Sequence, residues 1–266
     1  DRWILSLTNR LTLEITQALD SYDTFSAVTK IQEFVNNLST WYIRRSRDRI
    51  GLSAESKKDK QLFYQTCFVV LTNLSKMFAP IAPFISEEIF RNLTSRESGH
   101  LENWPDVNKM WEAKDLEIEM DDGIRVASEV HAKRKMDRVA VRIPIKILSY
   151  FGPRELTAEI LKIVLEEVNA YELKYKGKEE SYRVEGDMSV SNQDLVAGRA
   201  RELIRKIQAE RKTLGTSLDE KVEVELPDWP VEFESDIKKK ALINNLSKAK
   251  SFRVIRRLKN TGSPKF

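Results

Sequence analysis

The stretch Leu38-Ser-Thr-Trp-Tyr-Ile-Arg-Arg-Ser-Arg-Asp-Arg-Ile50 reads as the end of a helix whose inward face turns from apolar to cationic. At 100° per residue, Ile31, Phe34, Val35, Leu38 and Tyr42 share one face, with Trp41 on its edge. The next members of that stripe are Arg45 and Arg49. At that point the helix meets water, a buried acid or an anionic partner, and the rigid five-donor fork of arginine suits phosphate. Trp41 and Tyr42 beside Arg44, Arg45, Arg47 and Arg49 also form the pairing of aromatic and cation that single-stranded RNA binders use. The competing reading puts both aromatics in the core and pairs Arg44 and Arg45 with Asp48, yet one aspartate cannot neutralise four arginines.

Outward from this stretch, residues 1 to about 95 read as four helices. Trp3, Leu7, Leu11, Ile15 and Leu19 mark the first. The second follows Tyr22-Asp-Thr, with Asp23 or Thr24 as N-cap, and runs to Arg49. Gly51-Leu-Ser-Ala-Glu-Ser is a loop. The third spans Lys57 to Phe78, Pro80 and Pro83 break it, and a fourth begins at Ser86. Helices of this length with short connections form an antiparallel bundle.

Ser98 to Asp106 is an irregular exit segment, followed by a helix from Asp115 to Lys135 with an acidic start and a basic end, as the helix dipole favours. Then the period changes. Val139–Tyr150, Tyr171–Tyr175, Tyr182–Glu185 and Lys221–Leu226 alternate like strands, and Pro153–Val168, Gln193–Leu214 and Asp236–Leu246 read as helices. The expected fold is therefore mainly α: an antiparallel helical bundle (1–105), a connecting helix (106–138) and a smaller α+β domain with a basic tail (139–266). Ala132-Lys-Arg-Lys and Ala209-Glu-Arg-Lys each close a helix ahead of a strand. Read from sequence alone, this echo is the chance likeness of two amphipathic helices.

The composition, 41% hydrophobic and 32% charged, is that of a soluble globular chain, and a cytoplasmic location is expected. No apolar run reaches the roughly 20 residues of a membrane span. With no initiator Met and a start inside an amphipathic pattern, the chain is expected to be a fragment. A single Cys67 permits no internal disulfide, and with His100 and His131 it supplies too few ligands for a common zinc site. The glycines are scattered, so there is no phosphate loop, and no nucleophile elbow or H-E-x-x-H is present. His131 reads as a packed helix residue, and Glu87-Glu88 as helix N-terminal acids. Net charge is +4, and Lys248 to Phe266 holds seven basic residues and no acid. That asymmetry fits a polyanion partner or a solvated tail.

Four ordered segments resemble the carboxy-terminal part of class I isoleucyl-tRNA synthetases: Asp1-Arg-Trp-Ile-Leu-Ser, Trp41-Tyr-Ile-Arg-Arg-Ser-Arg-Asp-Arg, Met77-Phe-Ala-Pro-Ile-Ala-Pro-Phe-Ile-Ser-Glu-Glu-Ile and His100-Leu-Glu-Asn-Trp-Pro. Val141-Arg-Ile-Pro and Ala200-Arg-Glu-Leu-Ile-Arg-Lys-Ile-Gln resemble its downstream elements more loosely. The class I signatures HIGH and KMSKS are absent, as are an editing domain and a cysteine-rich zinc module. Thr40 replaces an Asn often found before the Trp, and Ile50-Gly51 an aromatic pair after the arginines.

The resemblance implies an anticodon-binding bundle in a monomeric ligase that uses ATP, isoleucine and Mg²⁺ to charge isoleucine tRNA. Catalytic and editing domains would belong to the same polypeptide, and no cofactor or catalytic residue is expected in this chain. The expected RNA contacts are Arg44, Arg45, Arg47 and Arg49, with Trp41 and Tyr42 setting the helix tip. Lys133, Arg134, Lys135, Arg201, Arg205 and Lys212 form a second tier. Losing one phosphate contact should shallow the salt dependence of binding by about one unit. The alternatives are the equivalent part of a valyl enzyme, and a helical protein-interaction module without RNA specificity.

Overall fold

The computed structural model describes residues 1–51, 54 and 56–256. Most of the loop after Gly51 and the tail from residue 257 lie outside the described residues. The chain divides into two compact units, Asp1–Asp122 and Gly123–Phe266.

The first unit is a helical bundle: α1 (Arg2–Asp20), α2 (Thr24–Asn36), a π-helix (Asn37–Ile43), α3 (Arg47–Ile50), α4 (Lys57–Phe78), α5 (Pro83–Thr94) and the start of α6 (Lys114–Met136). The apolar stripe of α1 packs inward, with Trp3, Ile4, Leu7, Leu11 and Ile15 buried against α2 and α4. Asp23 caps α2 by accepting from the Ser26 amide at 3.0 Å. Ser56 caps α4 through the Asp59 amide at 3.1 Å. Helix α5 begins at Pro83 rather than Ser86, because proline at the first helical position loses no hydrogen bond and is already set to helical φ.

Polar groups along α1 hold the exit segment. Asn9 donates to the Asn108 carbonyl at 2.6 Å and accepts from the Asn108 amide at 2.8 Å. Trp104 Nε1 donates to Thr16 Oγ1 at 2.8 Å. Ser6 Oγ donates to the buried Glu117 carboxylate, which Arg10 pairs at 2.7 Å. Farther up the exit segment, Glu87 accepts from Ser98 Oγ at 3.1 Å and from the Gly99 amide at 2.9 Å. It anchors a loop.

The second unit holds the rest of α6, then β1 (Ile145–Gly152), α7 (Ala158–Val168), β2 (Ala170–Lys178), β3 (Arg183–Glu185), α8 (Asn192–Thr213), β4 (Val222–Leu226), α9 (Glu234–Ala241), β5 (Ile243–Lys248) and β6 (Arg253–Ile255). The strands form two three-stranded sheets, ordered β2-β1-β3 and β5-β4-β6. In each, the first two strands in sequence are parallel and joined by a helix, and the third pairs antiparallel to the first.

The echo between Ala132-Lys-Arg-Lys and Ala209-Glu-Arg-Lys is therefore no chance likeness. Residues 123–185 and 192–255 are two copies of one α-β-α-β-β unit, and the match extends to individual hydrogen bonds. Val139 donates to the Arg134 carbonyl at 2.9 Å across a left-handed Arg138 (φ 57°), and Thr216 donates to the Arg211 carbonyl at 3.1 Å across a left-handed Gly215 (φ 63°). The crossover helices α7 and α9 end on left-handed Asn169 and Leu242. Those two carbonyls accept from Ile145 at 3.1 Å and Val222 at 3.0 Å. The second copy packs its own core, from Ala200 and Ile207 to Ile243 and Leu246.

Besides the start of α5, several expected boundaries move, among them that of the helix expected from Pro153, which begins at Ala158. The strand expected from Val139 starts at Ile145, because Pro144 cannot donate to a ladder and Val139 to Ile143 is held in turns. The helix expected to reach Leu246 stops at Ala241, where Leu242 turns left-handed and the chain continues as β5. The helix expected to run unbroken to Arg49 widens into the π-helix after Asn36.

Candidate nucleic-acid interface

The π-helix determines which side chains around residue 41 face inward. Each wide turn carries an extra residue, and such turns recur at functional sites. Here it lets two consecutive aromatics reach the interior, Trp41 at 9% exposure and Tyr42 at 6%. Trp41 Nε1 donates to Met120 Sδ at 3.2 Å, and Tyr42 stacks on Phe63 with ring centroids 5.6 Å apart. The Tyr42 hydroxyl donates to Asp1 at 2.6 Å, and burial pushes its pKa up to about 12. Both aromatics are core residues that carry the arginines on their outer edge.

Of the four arginines, Arg44 and Arg47 are exposed, and Arg45 and Arg49 are half-buried. Arg49 is held on both edges of its guanidinium: Nη1 and Nη2 donate to the two Asp1 oxygens at 2.8 Å each, and Nε and Nη2 to the two Asp59 oxygens at 2.8 Å each. It also lies over the Phe63 ring, 5.8 Å from the centroid. The guanidinium holds the Asp59 carboxyl below the usual carboxylate range, chiefly through these hydrogen bonds. Arg49 thus ties the start of α1 to the start of α4, and its donors point at carboxylates. Arg45 lies over Trp41 at 5.5 Å. Arg44 is exposed and donates from Nε to the Thr40 carbonyl at 2.6 Å. Arg47 is exposed on α3. These three, on and just after the π-helix, present a cationic edge.

The second-tier residues lie in the second unit, where Arg134 stands apart. It is 2% exposed and donates to the carbonyls of Ala140, Ile143, Val168 and Asn169 at 2.7–3.1 Å. Burial, and less so the charge of Arg201, lowers its pKa to about 10, so it stays charged at neutral pH. Arg211 holds the same post in the second copy, donating to Ser217, Glu220 and Leu242 carbonyls. Both fasten a helix end to a crossover, satisfying carbonyls that helix and turn geometry leave open. The remaining members are on the surface: Lys133 paired with Asp137 at 3.1 Å, Lys135 exposed, Arg201 exposed with one donor on the Arg142 carbonyl at 2.7 Å, and Arg205 and Lys212 exposed on α8.

Three features escaped the sequence reading. Asp1 and Asp59 as partners of Arg49 lie 48 and 10 residues from it, beyond the reach of helix spacing rules. The π-helix has no compositional signature. The exposed Lys239 and Lys240 of α9 were visible as a basic run, but only the paired copies give them meaning. His131 sits 3.5 Å from the Glu167 carboxylate, an ordinary packing contact on a helix flank. Cys67 is half-buried, and burial raises its thiol pKa. Among the described residues no cluster of three or more His, Cys, Asp or Glu side chains could hold a metal, and no helix is long and apolar enough to cross a membrane.

The described residues thus form a helical bundle with a cationic edge at a helix end, followed by an α+β region. A sequence profile of the anticodon-binding domain of tRNA ligases matches residues 1–149, and the chain belongs to that family. Its relatives include the isoleucine–tRNA ligase of Dehalococcoides mccartyi (strain 195), 32% identical over 93% of this chain and 27% of that protein. The isoleucine–tRNA ligase of Treponema pallidum (strain Nichols) is 36% identical over 73% of this chain and 19% of its own length. That of Protochlamydia amoebophila is 36% identical over 68% and 18%. The chain thus spans about a quarter or less of the length of these relatives.

Proposed function

We propose that this chain is the tRNA-binding portion of an isoleucine–tRNA ligase and that it holds the anticodon stem and loop of isoleucine tRNA. The observation that carries the reading is the cationic edge of Arg44, Arg45 and Arg47, just after a π-helix and inside the segment that matches the anticodon-binding family. Guanidinium groups at this edge suit phosphate oxygens. Burial of Trp41 and Tyr42 makes them supports for the arginines rather than stacking platforms for bases. Arg49 and Arg134, engaged by carboxylates and carbonyls, are left out of the contact set. Ligation of isoleucine with ATP and Mg²⁺, the monomeric state and the cytoplasmic location belong to the proposed parent, whose catalytic and editing parts would act on the far end of the same tRNA.

The test is a fluorescence-anisotropy titration of the chain with isoleucine tRNA, valine tRNA and a duplex RNA across a salt series. Tighter, salt-sensitive binding to isoleucine tRNA is expected. Equal weak binding to all three would leave only non-specific charge attraction and contradict the reading.

A further inference from the structure

The two α-β-α-β-β copies are an internal control, because the scaffold is the same and only the surfaces differ. Aligning the buried arginines pairs Val130 with Ile207, and aligning the left-handed helix ends Asn169 and Leu242 pairs Val164 with Ile237, all four fully buried. On this alignment Arg201, Arg205 and Gln208 of α8 correspond to Ile124, Ser128 and His131 of α6. Lys239 and Lys240 of α9 correspond to Glu166 and Glu167 of α7. The local geometry agrees. His131 meets Glu167 at 3.5 Å, and Gln208 donates to the Lys240 carbonyl at 3.1 Å, so both faces are formed by the same pair of helices.

Four cations therefore stand in the second copy where the first has two carboxylates and two uncharged side chains. The first copy forms without cations at these positions, although Arg201 also ties α8 to the Arg142 carbonyl at 2.7 Å. The helix dipole accounts for only part of this difference. It explains Lys135 and Lys212, which occupy the same last-turn position in both copies. It also favours Lys239 and Lys240 in the last turn of α9, where the first copy instead places Glu166 and Glu167 against the dipole, but it does not explain Arg201 and Arg205 in the middle of α8.

We propose that the α8–α9 face of the second copy is a second RNA-binding surface, shaped to hold the phosphate backbone of a duplex stem. This rests on the reading of the chain as a tRNA binder. Arg201, Arg205, Gln208 and Lys212 form one stripe along α8, with the exposed Lys239 and Lys240 beside it. Arg201 and Arg205 are about 6 Å apart along the axis, and Arg205 and Lys212 about 10.5 Å, at 1.5 Å per residue. Those intervals suit successive phosphates of one strand. The face carries no aromatic side chain on which an unpaired base could stack and no apolar side chain that would enter a lipid headgroup layer. It is a backbone reader.

The experiment titrates the full chain with a blunt duplex RNA, with an anticodon hairpin and with polyglutamate, across a salt series. The triple variant Arg205→Ser, Lys239→Glu, Lys240→Glu installs the residues that the first copy carries at those positions. It is compared with Arg44→Ala, Arg45→Ala, Arg47→Ala in the bundle and with the milder Lys239→Gln, Lys240→Gln. Thermal melts check that each variant folds. The first triple variant is expected to weaken duplex binding more than about tenfold and to lower its salt slope by about three. The glutamine pair should move both in the same direction, and the bundle variant should act mainly on the hairpin. Unchanged duplex binding in both α8–α9 variants overturns the inference. If the bundle variant still weakens the hairpin, the anticodon reading stands without it. Polyglutamate bound as tightly as the duplex would also overturn it.

Discussion

Arginine is the most informative residue type in this chain, and its neighbours decide what each copy does. Arg49 and Arg45 fall on one sequence stripe and both are half-buried, yet Arg49 bridges two carboxylates while Arg45 lies over the Trp41 ring. Arg49→Ala is therefore expected to destabilise the bundle by about 2 kcal/mol, as loss of a half-buried, doubly paired charge would, with the salt slope of tRNA binding unchanged. Urea unfolding and the titration, run side by side, check both halves. The pairing also sets a pH dependence. Asp59 has a lowered pKa in the folded chain, so its stabilising share is present above the unfolded carboxylate value near 4 and is lost as pH falls through the lower folded value. The melting temperature of Asp59→Asn should trail that of the parent at neutral pH and converge with it in acid.

At the scale of elements, the repeat predicts what position-by-position reading cannot. Arg138 and Gly215 are equivalent, and both are left-handed. Glycine carries no Cβ penalty there, so Arg138→Gly is expected to stabilise the first copy by roughly 0.5 kcal/mol, the left-handed penalty less the extra freedom of glycine in the unfolded chain. Chemical denaturation measures it. Gly123 is the counterpart of Ala200 but cannot take its methyl group: a Cβ would lie 2.6 Å from Ile160 Cγ2. Gly123→Ala should cost about 1–3 kcal/mol through overpacking. Arg134→Met, which removes a buried donor from four carbonyls, of which those of Ala140 and Asn169 keep a backbone amide, should cost about 3 kcal/mol.

The apolar periods of α1, α4, α6 and α8 made these helices legible in the sequence, because a stripe facing a core repeats whatever lies opposite. The short strands β3, β5 and β6 were harder. Asn244 and Asn245 continue an apparent helix in sequence, and only the left-handed Leu242 and pairing with β4 turn that segment into a strand. The interface was legible as composition, four arginines beside two aromatics. Which arginine faces water was not, since it depends on Asp1 and Asp59, brought from distant helices, and on a wide turn that no residue type announces.

For the molecule as a whole, family membership and cationic surfaces combine into one account. A bundle of the anticodon-binding family carries Arg44, Arg45 and Arg47 just after its π-helix, and a duplicated α+β unit follows whose second copy bears the α8–α9 cations. The share of its relatives that the chain spans, about a quarter or less, places the ligation chemistry in other parts of the proposed parent. The central claim is that the π-helix edge binds isoleucine tRNA. The most direct measurement is an anisotropy titration of the chain and its Arg44→Ala, Arg45→Ala, Arg47→Ala variant with isoleucine tRNA across a salt series. The account predicts weaker binding by the variant and a salt slope lower by about three units. An unchanged affinity and slope in a variant that melts like the parent would contradict it.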